Sequence, residues 1–490
     1  MVQDTKSELH NAAVSAVVGL IQSWVDPFDQ KNDLISTSTT KAVPRHITSD
    51  LMKAYEIGEK NYATFRNERL ENDPPNPLKL FLEVADSNKI PVFLIDTQIL
   101  QAISDCQETG QRLEMCSCFY HAENNIITFA VLELDLKYKE AFFDEMRQKG
   151  FTSISITGPD STQSSAVTLH YIFAKSGFVV HLIFFYERIG NFWWHGALTL
   201  EDIQAVGMGE NAKGVDLSKC VTGQHAQAFD KMDIVSRNVD GVTINVPRFP
   251  LVLLNQKQYS NFVGCNYTRV KVFQKKNGAD MSKVAINFKI RVRTLLHDTK
   301  KVLDGLGIRF WLSAGTLLGW FRECDTMHYS RDVDIEIWAK DYDSRIIQAF
   351  QDAGFCLITN NGKPEFGLSL AFKHDVGLKL DVFLDYESND STWNMMTYDS
   401  KENYQQFKVT LPRFTLCWTE FLEMKLSVPC ESELYIVESY GKQWTERVKT
   451  WDPFKSPLNV VKVGVWSKAD SMKFGRHLWE CYYQSLNKLA

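Results

Sequence analysis

Nowhere in the 490 residues does an apolar run reach the roughly 18 positions that a helical membrane span requires. The nearest approach, AAVSAVVGLIQSWV from Ala12 to Val25, is broken by Ser15, Gln22 and Ser23 and follows mixed charges instead of a basic start. It is expected to form an amphipathic helix and not a signal or an anchor. The ten cysteines include no CxxC pair, and Cys116-Ser-Cys118 is too tightly spaced for a good chelate, so a zinc module is not expected. They are also too scattered to read as a disulfide scaffold, and whether any of them pair is left open. Positive charge is not in excess either. A net charge of −6 and a pI near 6.0 argue against a general nucleic-acid binder.

What is present is an ordinary globular composition, long enough for two or three domains. Residues 1–80 are polar and weakly patterned, as in a stem-like segment of linkers and short helices. From Ile90 the text tightens into strand and helix signals: IPVFLI, NIITFAVLEL and FVVHLIFFYE as strands, YKEAFFDEMRQKG as a helix. This gives an N-terminal α/β domain at 81–200, a connection at 201–280 with a hairpin in RNVDGVTINVP, and a C-terminal domain at 281–490. The last opens with a long helix from about Met281 to Leu306 and ends in a mostly irregular, aromatic-rich tail. Between Arg269 and Lys301 ten Lys/Arg stand against two Asp. Such a stretch is either a solvated helix face or a positive field beside an anionic substrate.

The two halves resemble each other. IPVFLIDTQILQAISDC (90–106) matches IRFWLSAGTLLGWFREC (308–324), FDEMRQKGF matches IQAFQDAGF, and VVHLIFFYE matches KLDVFLDYE. Chance likeness of two α/β units is the alternative. On this alignment Asp332 faces Thr128, Asp334 faces Ala130, Asp381 faces His181 and Gly315 faces Thr97. Only the second copy is then expected to be catalytic, the first serving acceptor or partner contact.

In that second copy RFWL reads as a buried strand, Ser313-Ala314-Gly315-Thr316 as a tight turn, and TLLGWFREC as a helix. The free N–H groups of such a turn seat phosphate oxygens. Gly315, Gly319 and Arg322 share one helix face, where Arg322 would grip a phosphate with its guanidinium fork. In SRDVDIEIWA, Asp332 and Asp334 alternate onto one strand face, about 7 Å apart, and repel unless a cation lies between them. A strand end in water is the other reading. Asp381, in KLDVFLDY, supplies a third acid, with Asp385 on the same face as a competitor. Hard oxygen ligands of this kind suit Mg²⁺ or Mn²⁺. Trp320, Trp338 and Trp393 are either core or a cage for a quaternary ammonium.

FWLSAGTLLGWFRECDTMHYSRDVDIEI together with KLDVFLDY resembles the LicD/fukutin family of phosphotransferases, a branch of the nucleotidyltransferase fold. The likeness extends over about 85–470 through FQDAGF, YIVESYGKQW and HLIFFYERIGNFWWHG. It implies an α/β fold (α+β) whose C-terminal domain is nucleotidyltransferase-like with a mixed sheet, to which the internal repeat adds an N-terminal α/β domain as a degenerate copy. It implies transfer of ribitol 5-phosphate from CDP-ribitol to the phosphorylated O-mannosyl core glycan of α-dystroglycan, releasing CMP. Phosphocholine or another CDP-alcohol as donor, or a glycan-binding scaffold with little catalysis, are the alternatives. By the same likeness Asp332, Asp334 and Asp381 hold the metal, and Gly315, Thr316 and Arg322 form the phosphate side. A related family transferase is the implied partner and the Golgi lumen the implied location. The sequons at Asn266 and Asn389 agree with that location. The family implies an N-terminal membrane anchor, and no segment here reads as one, so a trimmed form or a different anchoring is expected.

Overall fold

Each half is organised by a short hydrophobic strand that turns directly into a helix. In the first, α1 (Pro77–Ser87) buries Leu78, Phe81, Val84 and Ala85 at helical spacing and leads into β1 (Phe93–Leu94). Asp96 then caps α2 (Thr97–Glu108), its carboxylate accepting the N–H groups of Gln98 and Ile99. β2 (Ile126–Leu132), α3 (Glu140–Gln148), β3 (Thr152–Pro159), β4 (Ala166–Lys175), β5 (Phe178–Arg188), β6 (Phe192–His195) and β7 (Ala226–Asp230) follow. The hairpin β8 (Ile234–Val239) and β9 (Val242–Pro247) turns through Asp240 and Gly241, both at positive φ, where an Asp-Gly pair matches the twist of the strands. α4 (Pro250–Lys257), β10 (Asn261–Phe262) and α5 (Tyr267–Asn277) complete the connection. The computed structural model describes residues 77–467, apart from 122–124, 138, 161–164, 207–209, 400–402 and 449–450. The amphipathic helix expected at 12–25, nearly all of the 1–80 segment and Cys481 lie outside the described residues.

The second half begins with α6 (Lys283–Gly305) and β11 (Phe310–Leu312). It continues through α7 (Ala314–Glu323), β12 (Asp332–Trp338), α8 (Ile346–Asp352), β13 (Cys356–Lys363), β14 (Phe366–Lys373) and β15 (Lys379–Glu387). The tail expected to be irregular is instead β16 (Ser391–Asp399), β17 (Asn403–Pro412), the hairpin β18 (Leu416–Phe421) and β19 (Met424–Pro429), α9 (Ser432–Tyr440) and β20 (Val460–Ser467). Its strands lack the alternation of a half-buried sheet. In NYQQFKVTLP most positions are half-buried, and Gln406 lies inside with Phe407 only partly covered.

The pairings of the two halves coincide. β1 and β11 each run antiparallel to the next strand, β2 or β12, and that strand runs parallel to β5 or β15. β5 and β15 each carry an antiparallel pair on the other side, β4–β3 or β14–β13. β1 is parallel to β9 as β11 is to β19, and each of these closes a hairpin. The register corrects the sequence alignment by two residues. The Ile95 N–H reaches the Thr128 carbonyl as the Ser313 N–H reaches that of Asp334. Thr128, not Ala130, therefore occupies the place of Asp334, and Ile126 that of Asp332. His181 stays opposite Thr128 as Asp381 is opposite Asp334. A slip of two keeps every side chain on its face, so the hydrophobic pattern could not reveal it.

β7 pairs with β10 and β10 with β18, so the halves share one mixed sheet, and the described residues pack as a single unit. Each half keeps its own core, one around Phe93, Phe129 and Phe185, the other around Trp311, Ile335 and Val382. The basic stretch 269–301 is largely spent on local partners: Lys289 pairs with Asp325, Lys300 with Asp304, Arg293 with Glu423, and Arg291 donates to the Val376 carbonyl. The scattered cysteines do pair, as Cys106–Cys116, Cys265–Cys324 and Cys417–Cys430. Among the described residues no helix is long and apolar enough to cross a membrane.

Three histidines lie inside the first half. His170 Nδ1 meets His181 Nε2 at 3.1 Å, and His195 is held by the Gly196 carbonyl and Gln227 Oε1. Burial lowers the pKa of all three, His181 to about 3, His195 to about 4 and His170 well below its usual value. The unfolded chain takes up these protons near pH 6.5 and the folded chain does not, so they withdraw stability as pH falls from about 6.5 towards 4. Other buried groups titrate in the same window, so the comparison is with His195→Gln. Between pH 6 and 5 the wild type should lose about 1.2 kcal/mol more than that variant in denaturant titrations, most of one proton's worth. Parallel losses would show that His195 is not held neutral.

Candidate active site

β11 ends at Leu312, and the chain turns into α7 through Ser313 and Ala314, the latter at a left-handed φ of 42°. A residue with a Cβ held there marks a turn fixed by its surroundings. The Asp334 N–H donates to Thr316 Oγ1 at 2.9 Å, and the Asp334 carbonyl accepts from the Ser313 N–H at 3.1 Å. The turn is thereby stitched to the acidic strand. Gly315 is needed for this closeness: a Cβ would lie 2.6 Å from Ser330 Oγ and 3.7 Å from Asp334 Oδ2.

Parallel pairing of β12 with β15 sets Asp334 beside Asp381 and Asp332 beside Lys379. One carboxylate oxygen from each of Asp332, Asp334 and Asp381 lies within 4.8 Å of the others. Burial, then the charges of Asp332 and Asp381, push the Asp334 carboxyl well above the usual range. Asp381 is also raised by burial, against the pull of Lys379. The Lys379 ammonium lies 2.6 Å from Asp381 and 3.5 Å from Asp332. Burial works against its charge, yet the three acids more than offset this and hold its pKa up. A positive charge thus already answers the trio, and three hard oxygen donors at this spacing suit a divalent ion such as Mg²⁺ or Mn²⁺.

Other expected residues lie elsewhere. A Cβ on Gly319 would meet the Asp325 carbonyl at 2.7 Å and Met327 at 3.3 Å, so this glycine admits a loop, not a ligand. Arg322 is buried, its guanidinium bonded to Glu323, Tyr329 and the Trp444 carbonyl and lying over Phe273. The expected phosphate fork is therefore a correction. Cys324 turns left-handed after α7, and residues 325–330 fold back over the helix face that Arg322 shares with Gly315. Asp385 is buried in a different cluster, accepting from Asn394 Nδ2 at 2.8 Å. The tryptophans form no cage: Trp338 packs on Trp311 and Phe414, Trp393 on Tyr386, and Trp320 is buried beside Phe321.

Sequence reasoning missed Lys379, Glu336 and the tyrosines of α9. Glu336 continues the parity of Asp332 and Asp334, which was the available signal. Wholly buried, it accepts from Trp311 Nε1 at 2.7 Å, Ser313 Oγ at 2.6 Å, Asn394 Nδ2 at 3.1 Å and the Tyr435 hydroxyl at 2.8 Å. Tyr440, half-buried, has its hydroxyl raised by desolvation and then by the nearby charge of Asp334, which puts α9 alongside the acids.

A glycine turn at a helix start, stitched to a strand bearing two acids with a third on its parallel neighbour, defines a transferase domain of the nucleotidyltransferase class. Residues 307–431 match the LicD/FKTN/FKRP nucleotidyltransferase domain, and residues 55–293 match the fukutin N-terminal domain. The chain belongs to the fukutin family. It is 37% identical over 400 residues to human ribitol-5-phosphate transferase FKTN, spanning 79% of this chain and 85% of that one. The mouse protein of that name is 36% identical over the same shares. A solved structure of the lincosamide adenylyltransferase LnuA, with lincomycin bound, aligns over 28% of this chain and 80% of its own at a TM-score of 0.20 and 16% identity.

Proposed function

We propose that this chain transfers ribitol 5-phosphate from CDP-ribitol to the phosphorylated O-mannosyl core glycan of α-dystroglycan, releasing CMP. The observation that carries the reading is the convergence of Asp332, Asp334 and Asp381 beside the Gly315 turn, in a chain this similar to the ribitol-5-phosphate transferases. Asp332, Asp334 and Asp381 would hold Mg²⁺ or Mn²⁺, which when bound neutralises charge on the donor diphosphate. The first-turn N–H groups at Gly315 and Thr316 receive phosphate oxygens, and Thr316 keeps the acidic strand in place. Asp381 orients the attacking glycan hydroxyl. Lys379 moves from the acids to the phosphate as the donor arrives. Positioning and charge do most of the catalysis.

The disulfides among the described residues support residence in an oxidising compartment, which we take to be the Golgi lumen. A related family transferase that extends the same glycan is the proposed partner. The test offers CDP-ribitol, CDP-glycerol and CDP-choline to a mannosyl phosphoglycopeptide and weighs the product by mass spectrometry. One ribitol phosphate should be added from CDP-ribitol, with product falling to background in chelator and returning with Mg²⁺ or Mn²⁺. Preference for CDP-choline, or full turnover in chelator, would overturn the reading.

A further inference from the structure

In the second half the acids lie where the β11–α7 turn, β12 and β15 meet, with α9 alongside. The counterparts in the first half, the β1–α2 turn, β2, β5 and α4, enclose a cavity of about 190 Å³. Its polar lining includes Asp96, Thr128, His181, His195, Gln227 and Lys257. We propose that this cavity is a metal-independent binding site for a sugar or polyol phosphomonoester of monosaccharide size.

The chemistry has been exchanged position by position. Thr128 and His181 stand where Asp334 and Asp381 stand in the other half, and an ammonium from α4 supplies the positive charge. The charge of Lys257 acts on Asp96, His181 and His195 together, yet Lys257 has no ion-pair partner among the described residues. Lys219, also exposed, adds a second cation to the lining. One carboxylate remains, and it is spent on the backbone: Asp96 accepts the N–H groups of Gln98, Ile99 and Thr128 at 3.1, 3.2 and 3.3 Å. It fills the helix start that Gly315 leaves open in the other half, so an incoming anion is directed to the lysines.

Deeper in, the partners suit hydroxyl groups. His195 is held at both ring nitrogens and His181 at Nε2, so His181 Nδ1, the Thr128 hydroxyl and the second amide hydrogen of Gln227 are the groups left to meet a ligand's hydroxyls. Burial holds His181 and His195 neutral at physiological pH. They do not gather around a point as metal ligands would: among the described residues only the cysteines 106, 116 and 118 and the acid trio converge in that way. Two of those cysteines are joined to each other. Phe185 and Phe229, stacked on each other and on His195, form the apolar wall behind these groups. The volume admits one sugar ring with a phosphate at the mouth, not a nucleotide.

The site extends the transferase reading, since a glycan phosphate is one source of such a ligand and a free polyol phosphate another, but binding itself depends on neither. Calorimetric titration of the full chain in EDTA with mannose 6-phosphate, ribitol 5-phosphate, mannose and inorganic phosphate tests it. A phosphomonoester should bind without metal, and mannose and inorganic phosphate each about tenfold or more weakly. Tighter mannose 6-phosphate would indicate the glycan source, and tighter ribitol 5-phosphate the free one. Binding should persist in Asp334→Asn, weaken about tenfold or more in Lys257→Met, and recover in Lys257→Arg. No binding by any phosphomonoester, loss in Asp334→Asn, or indifference to Lys257→Met in a chain that melts normally would overturn the proposal. Preserved sugar-phosphate binding in a chain that transfers nothing from CDP-ribitol would sink the catalytic reading alone.

Discussion

Asp334→Asn is expected to cut transfer roughly a thousandfold, about 4 kcal/mol of transition-state stabilisation, while melting no lower than the wild type. The two halves of this expectation have one cause. Asp334 is buried between two other carboxylates, so in the resting protein its charge is held against desolvation and against Asp332 and Asp381. An amide of the same shape keeps the backbone bond to Thr316 and removes the repulsion. What it cannot supply is the anionic oxygen for a divalent ion. A carboxylate that served the fold would behave in the opposite way, losing stability with its charge. Product assays and thermal melts on one preparation separate the cases. Near wild-type turnover would remove Asp334 from the site, and a large drop in melting temperature would make it a structural group.

How much of this was legible in the sequence varies with the kind of signal. The acid pair stood out because charges at period two inside an apolar strand have few explanations, and Asp381 because its strand was as apolar as theirs. The strand, turn and helix around Gly315 followed from local chemistry. Lys379 was invisible, since a lysine at a strand start is ordinary until the parallel register sets it beside Asp332. Arg322 misled for a related reason. Helical spacing places side chains on a face but does not tell what later covers that face, and here residues 325–330 return over it. The repeat was readable in hydrophobic pattern, yet its register needed the backbone bonds at Ile95 and Ser313. The tail escaped because its strands bury Gln406, Thr392 and Asn394 where the pattern expects apolar residues.

Glu336→Ala should destabilise the second half by about 3–5 kcal/mol and take transfer with it, though Glu336 touches no substrate. Four donors from separate elements end on its carboxylate: Trp311 and Ser313 from β11 and its turn, Asn394 from β16 and Tyr435 from α9. Burial raises its pKa and these hydrogen bonds pull against that rise. Alanine leaves the Trp311 N–H buried with no acceptor, reduces Asn394 to its bond with Asp385 and leaves Ser313 and Tyr435 only each other, and it opens a cavity among Trp311, Tyr435 and Ser313. Glu336→Gln discriminates further. It keeps one oxygen for Ser313 and Tyr435 but turns an NH₂ group on a donor, the Trp311 N–H, so it should lie between the wild type and alanine in stability. Because Ser313 opens the turn that carries Gly315, both variants should weaken donor binding even at temperatures where they are fully folded. A Glu336→Ala chain that melts within about 1 kcal/mol of wild type would show that the buried carboxylate is not the anchor of this turn.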